Sequence, residues 1–135
     1  MPEKETIKKA RKAKREGKSP TTQAGEFVHE EIKHIRQGKH GARSTKQAIA
    51  IGLSKARRAG VKLKPPKKGT TSERTRKSAE KAYRAGNRNG SHKPNPRRSR
   101  AAREALKDEK HRVVSKKALS RQAKSAARRR KGKAA

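Results

Sequence analysis

Bulky apolar side chains are scarce in this chain and unevenly distributed. Hydrophobic residues make up 27% of the 135 residues, but 20 of these 36 are Ala, which leaves 16 larger apolar side chains. Nine of the 16 lie between Phe27 and Leu63. A chain with so little apolar surface cannot offset the entropy of ordering along its whole length. We therefore expect a local core within residues 20–63 and no compact large core.

The window 19–38 is predicted to form an amphipathic helix. Ser19 before Pro20, or else Thr22, offers an N-cap, and Gly38 is a natural C-terminal stop. The apolar residues of the window recur at helical spacing on one stripe: Ala24, Phe27, Val28, Ile32 and Ile35.

A second helix is predicted to begin at Ser44 and to end at Gly60. Ser44 and Gln47 have capping-box spacing, so the Gln47 side chain is expected to accept from the backbone N–H of Ser44. Val61 and Leu63 can fold back on the last turn. The inner arc is rich in small residues that permit close approach: Ala48, Ile49, Gly52, Leu53, Ala56 and Ala59.

Two such helices joined by a short Gly-containing turn predict an αα-hairpin over residues of about 20–63. The fold class is therefore all-α, with basic helical or disordered tails flanking the hairpin. A unit of this size is near the lower limit for independent folding, so we expect dimerisation through the hairpin, or ligand binding, to support it.

Four segments are predicted along the chain. They are a basic N-terminal arm at 1–18, the hairpin module at 19–64, a linker at 65–95 and an Arg/Lys/Ala-rich tail at 96–135. Within the linker, Thr70 and Glu73 form a capping box that opens a short helix at about 71–85. Asn95 before Pro96 starts a helix-competent stretch in the tail, which we expect to become ordered when its charge is neutralised.

The charge of the chain is extreme, because 43 Lys and Arg residues face 11 Asp and Glu residues and leave a net charge of +32. A chain this positive repels itself, so its partner is expected to be a polyanion, and in a cytoplasm the abundant polyanion is nucleic acid. Phosphate neutralisation with counterion release favours such density whatever the base sequence.

The residues predicted to bind phosphate come from the basic side of the second hairpin helix, the loop after it and the tail. Aromatic residues that could stack on unpaired bases are nearly absent, with Tyr83 as the exposed candidate, so duplex DNA is favoured over RNA. The predicted set is Lys46, Lys55, Arg57, Arg58, Lys62, Lys64, Lys67, Lys68, Arg97, Arg98, Arg100, Arg103, Arg128, Arg129 and Arg130.

Catalytic and metal-binding motifs are not found. The chain has no Cys and no phosphate-binding glycine loop, and His29 and His34 are five residues apart, which places them on different helix faces. The carboxylates Glu26, Glu30 and Glu31 are expected to pair with the acid-free second helix. We therefore predict that the protein is not an enzyme and has no cofactor, metal site or catalytic residue.

The strings at residues 22–62 and 115–130 resemble a family of small, basic, uncharacterised bacterial proteins. Some members are labelled plasmid stabilisation or DNA-binding proteins. The resemblance implies a role of that kind for this chain, and it implies no catalytic residue.

The leading functional hypothesis is a non-enzymatic, largely sequence-nonspecific DNA-binding protein of the nucleoid-associated or plasmid-maintenance type. Two alternatives remain open: a protein-interaction module in plasmid stabilisation, and a basic protein associated with RNA or the ribosome. No apolar run is long enough to span a membrane, and the N-terminus lacks the apolar region of a signal peptide. We therefore expect a cytoplasmic protein associated with the nucleoid.

Overall fold

The computed structural model describes residues 3–87 and 95–134, and the regular secondary structure in that part of the chain is entirely helical, which confirms the all-α prediction. Its elements are α1 (Lys4–Arg15), α2 (Pro20–Arg36), α3 (Thr45–Arg58), α4 (Glu73–Gly86), α5 (Pro96–Lys107), a 3₁₀ turn (Arg112–Val114) and α6 (Lys116–Ala134).

The chain divides into two compact units. The first unit comprises Met1–Glu31 and Ala50–Lys93, and the second comprises Ile32–Ile49 and Pro94–Ala135. The hairpin helices α2 and α3 each contribute residues to both units. The segment boundaries expected from the sequence stay predictions, and most of the expected linker after α4 lies outside the described residues.

The ends of the hairpin helices follow the sequence signals closely. Ser19 Oγ accepts from the Thr22 backbone N–H at 3.3 Å, and Gly38 takes a φ of +78° after the last turn of α2. Ser44 Oγ accepts from Gln47 N–H at 3.1 Å, as expected. The reciprocal bond differs, because Gln47 Oε1 accepts from Arg43 N–H at 2.5 Å and not from Ser44. The capping box therefore reaches one residue further back than the pattern predicts.

The first unit has a core built from small residues around one large one. Phe27 is buried together with Ala10, Ala24, Ala56 and Val61, and Ile7, Leu53 and Leu63 pack against this group. Val61 folds back as predicted, with its N–H donating to the Ala56 carbonyl at 3.0 Å. Helix α1 supplies two of these residues. The expectation of a core confined to the hairpin, with residues 1–18 as a basic arm, therefore misses the apolar face of α1.

Helix α1 is attached to α2 through a buried carboxylate. Glu30 Oε1 accepts from the Glu3 backbone N–H at 2.5 Å and from Thr6 Oγ1 at 3.2 Å, and both Thr6 and Glu30 are buried. Glu30 thus stabilises the first turn of α1, where backbone N–H groups have no partner within the helix.

Gly52 is the point of closest approach between α2 and α3. A Cβ atom placed on Gly52 would lie 2.6 Å from Val28 Cα and 2.9 Å from Val28 N. These distances are well inside van der Waals contact, so only a residue without a side chain fits. Ala56 is also fully buried, as predicted for the small inner face of α3, but Ala59, which was predicted to lie on that face, is exposed.

Helix α4 begins later than predicted. Ser72, not Thr70, is its N-cap, with Ser72 Oγ accepting from Thr75 N–H at 3.3 Å. Thr70 instead donates from its hydroxyl to the Lys67 carbonyl at 2.6 Å in the preceding turn. Ala79 and Ala82 are the buried residues of α4, so the apolar face of this helix consists of small side chains.

The second unit has its own core, which differs from the predicted core because it extends beyond residues 20–63. Ile35, Ala42, Ala48 and Val114 are all fully buried, and Ile32 and Val113 pack against them. The C-terminal region thus contributes Val114 to a packed interior. This corrects the prediction that the tail only flanks a hairpin that holds the whole core.

Residues 108–115 interrupt the long helix expected in the tail. Asn95 caps α5 as predicted, accepting from Arg97 N–H at 3.0 Å, but the helix ends at Lys107. The last turn of α5 and the turn that follows it are instead hydrogen-bonded to the hairpin tip, residues 41–45, within the same unit. Gly41 N–H donates to the Leu106 carbonyl at 2.7 Å, and Thr45 Oγ1 donates to the Val113 carbonyl at 2.5 Å. These tertiary bonds replace those of a continuous helix.

Candidate nucleic-acid interface

The cations of the second unit are held at its surface. The unit contains 21 Lys and Arg residues and three acidic residues, a net charge of +18. Each of the 20 cations with a described side chain is exposed. Eight of the residues predicted to bind phosphate are among them: Lys46, Arg97, Arg98, Arg100, Arg103, Arg128, Arg129 and Arg130. This unit therefore presents a dense positive surface with few carboxylates to neutralise it.

Helix α6 has the most one-sided composition of this unit. It contains nine Lys and Arg residues in 19 and no acidic residue. The predicted set contains Arg128, Arg129 and Arg130 of this helix but not Lys117, Arg121 and Lys124, which are equally exposed. Counting helical spacing back from Arg128 would have identified them, because they lie 11, seven and four residues before it.

In the first unit, the loop after α3 carries most of the predicted residues. Lys62, Lys64, Lys67 and Lys68 are exposed in this loop, and Arg58 is exposed at the end of α3. The Lys62 ammonium donates to Asn87 Oδ1 at the end of α4. The loop thus has four cations available to a phosphate group, one of which also contacts α4.

Arg57 is a structural residue and not a surface cation. Its side chain is only 8% exposed, and its guanidinium donates from Nε to the Leu63 carbonyl at 3.1 Å and from Nη2 to the Lys64 carbonyl at 3.4 Å. Desolvation by burial lowers the pKa of Arg57 below its ordinary value. The predicted phosphate contact of Arg57 is not supported, because these donors are directed to the backbone of the loop.

Lys55 is likewise occupied within the first unit. Its ammonium forms an ion pair with Glu31 on α2, whose side chain is 1% exposed. Binding a phosphate through Lys55 would weaken its ion pair with this buried carboxylate, which is costly. For Glu31 the pairing agrees with the expected role opposite an acid-free helix, whereas Glu30 bonds to the first turn of α1 instead. The predicted phosphate contact of Lys55 would therefore compete with this ion pair.

The remaining cations of the first unit are either paired within the fold or exposed. Arg76 is half-buried and pairs with Glu73 and Glu80 along α4, at 2.9 and 3.7 Å. The cations of α1, which belong to the predicted basic arm, are exposed. The first-unit cations with reduced exposure thus all have internal partners, whereas exposed cations such as Lys62 and Arg84 have partners at the surface.

A small cavity of about 110 Å³ opens in the first unit between α1, α2 and the end of α3. Its walls are mainly apolar, with Arg11, Lys14 and Gln23 as the polar lining residues. The lining carries no carboxylate, imidazole, hydroxyl or thiol group that could transfer a proton or attack a substrate.

Among the described helices, none combines the length and the apolar character needed to cross a bilayer.

Comparison with known proteins gives one match. Residues 4–68, which are 65 of the 135 residues, are similar to a family described as a family of unknown function (DUF6496). The matched segment extends from α1 through the hairpin to the cationic loop after α3. No curated protein and no solved structure matches the chain.

Proposed function

We propose that the protein binds duplex DNA without marked sequence preference and acts through its phosphate contacts, as a nucleoid-associated or plasmid-maintenance protein and not as an enzyme. One observation carries the proposal: each cation of the second unit with a described side chain is exposed, and the unit has a net charge of +18.

Cations that stabilise this fold differ in exposure from those proposed to bind DNA. A side chain that supports folding acquires partners and loses exposure, as Lys55, Arg57 and Arg76 do in the first unit. The cations of the second unit are exposed and mutually repulsive, so they add unfavourable energy to the free protein. Contact with phosphates removes that repulsion and releases the counterions condensed on the nucleic acid.

Duplex DNA is the favoured form of nucleic acid because stacking groups are few. Single strands are bound through aromatic side chains on which bases stack, and the chain has one Phe and one Tyr. Phe27 is buried in the first core, and Tyr83 is half-buried on α4. Contacts to phosphates fix the position of a protein on a duplex without reading its sequence, so we expect weak base preference.

The test is a gel-shift titration with nuclease-treated protein and two duplexes of unrelated sequence. We expect equal affinity for both duplexes, and an observed log K that falls linearly with log salt at about 0.9 for each phosphate contacted. Binding that does not depend on salt would refute the proposal.

Two further ligands distinguish this function from the alternatives. Duplex RNA and single-stranded DNA are titrated at the same phosphate concentration as the duplex DNA. Tighter binding of RNA would indicate an RNA-associated protein. Failure to bind any of the three nucleic acids would contradict the proposal and favour a protein partner.

A further inference from the structure

We propose that α6 lies along one wall of the DNA major groove and binds the phosphates of one strand through a row of five cations. The inference rests on the proposed function and assigns the contact within it to one face of one helix. The five residues, called here the cationic row, are Lys117, Arg121, Lys124, Arg128 and Lys131.

The cationic row is defined by helical periodicity. Its members are separated by four, three, four and three residues. At 100° per residue their directions fall within an arc of about 80°, so the five side chains project from one side of α6. The helix has no acidic residue that could neutralise the row from its own surface.

The burial pattern fixes the orientation of the row. Five of the six partly buried residues of α6 are centred on the opposite side of the helix, at about 140° from the row. All five members of the row are exposed. The side that is in contact with protein is therefore not the side that bears the row, and a polyanion could reach the row without displacing packed residues. The five partly buried residues on the opposite side are Ala118, Leu119, Gln122, Ser125 and Ala126, and the sixth, Ala127, lies about 80° from the centre of the row on the flank of Ser120 and Ala123.

The dimensions of the row match a strand of duplex DNA. From Lys117 to Lys131 the helix rises about 21 Å, so the row is long enough to reach several successive phosphates of one strand. A helix with its side chains is about 10–12 Å across, and the major groove is about 12 Å wide. Five cations on one side therefore suit one phosphate ridge, whereas a helix that contacts both ridges equally would need cations on two sides.

Small residues next to the row permit this placement. Ser120 and Ala123 are exposed and lie roughly 60° to 120° around the helix from the centre of the row. If the row faces the wall of the groove, these two residues face its floor. Short side chains allow the helix to approach the bases but offer few groups that could read them. The weak base preference of the proposed function follows from this geometry.

The test compares two variants of the full-length protein with equal charge. Each replaces three cations of α6 with Gln, which lowers the net charge from +32 to +29. The row variant is Arg121→Gln, Lys124→Gln and Arg128→Gln. The control variant is Lys116→Gln, Arg129→Gln and Arg130→Gln, whose exposed residues lie outside the row.

We expect the magnitude of the salt slope on duplex DNA to fall by about 2.7 in the row variant, because three phosphate contacts are lost. In the control variant we expect it to fall by less than about 1. A third variant, Arg121→Lys, Lys124→Arg and Arg128→Lys, keeps the charge and should keep the slope. Circular dichroism of all three checks that α6 stays helical.

Each outcome separates the inference from the function on which it rests. Equal losses in the row and control variants would overturn the inference, since binding would then follow net charge alone. No loss in either variant would also overturn it, because α6 would not contact DNA. Absence of salt-dependent binding in the unsubstituted protein would instead refute the proposed function.

Discussion

The substitution Gly52→Ala should destabilise the protein even though Ala is the better helix former. A Cβ atom at position 52 would lie 2.6 Å from Val28 Cα, whereas ordinary van der Waals contacts begin at 3.4 Å. The obstacle is backbone, which cannot rotate away as a side-chain end can. Helices α2 and α3 would have to separate by most of an ångström along this contact, and the core around Phe27 would loosen.

Gly25→Ala is a matched control for this substitution. Gly25 also lies in a helix of the first unit, but nothing lies within 4 Å of the Cβ that Ala would add. Both variants share the gain in helix propensity, which is about 1 kcal/mol. Only Gly52→Ala adds the cost of overpacking, which is about 1–3 kcal/mol. The free energies of unfolding of the two variants should therefore differ by about 2 kcal/mol.

Urea unfolding followed by circular dichroism measures this difference. The experiment is done at high ionic strength, which screens the repulsion between surface cations. Gly25→Ala should be more stable than the parent protein, by up to about 1 kcal/mol. If Gly52→Ala is stabilised to the same extent, the close approach of α2 and α3 at Val28 is wrong.

Three further predictions concern other parts of the fold. Arg57→Gln should lower the free energy of unfolding by about 1–3 kcal/mol and leave the salt slope of DNA binding unchanged, whereas Arg58→Gln should lower that slope by up to about 0.9 with little effect on stability. Val114→Ala removes two methyl groups from a fully buried site and should cost about 1.5–3 kcal/mol in urea unfolding. The Arg76 hydrogen bond holds the pKa of Glu73 below its ordinary value of 4.5. A lowered pKa in the folded state stabilises the protein above the unfolded value and is lost as pH falls through the folded value, so the stability gap between the parent and Glu73→Gln should close below pH 4.5.

The hairpin could be predicted from sequence because its signals are local. Phe27 and Ile35 belong to one apolar stripe, and Ser19 and Gly38 mark the ends of that helix within a few residues. The close approach at Gly52 also follows from local spacing of small residues. Such signals depend on neighbours within one or two turns, so they can be read from the sequence of that segment alone.

Other features depend on partners distant in sequence. Helix α1 buries Ala10 and Ala13 with one larger residue, Ile7, beside them, so its apolar face is weak until Phe27 is placed against it. The interruption before α6 contains neither Gly nor Pro, and it follows from bonds between the hairpin tip and carbonyls such as that of Leu106. No local pattern encodes these contacts.

The candidate interface could likewise be predicted only in part from the sequence. Composition predicts that the chain binds a polyanion, but it does not separate Arg57, which is buried, from Arg58, which is exposed. The two residues are adjacent, so their directions differ by about 100° on α3. Only the position of the loop carbonyls beyond α3 decides which of them is enclosed.

The exposure of the cations in the second unit has a thermodynamic consequence for how DNA would act on folding. A ligand stabilises the native state only to the extent that it prefers that state over the denatured one. Because the described cations of this unit are accessible in the native state, they provide nearly the same charge before and after denaturation. Non-specific attraction should then raise the melting temperature little. A large rise on adding DNA would report an ordered array of contacts that the denatured chain cannot form.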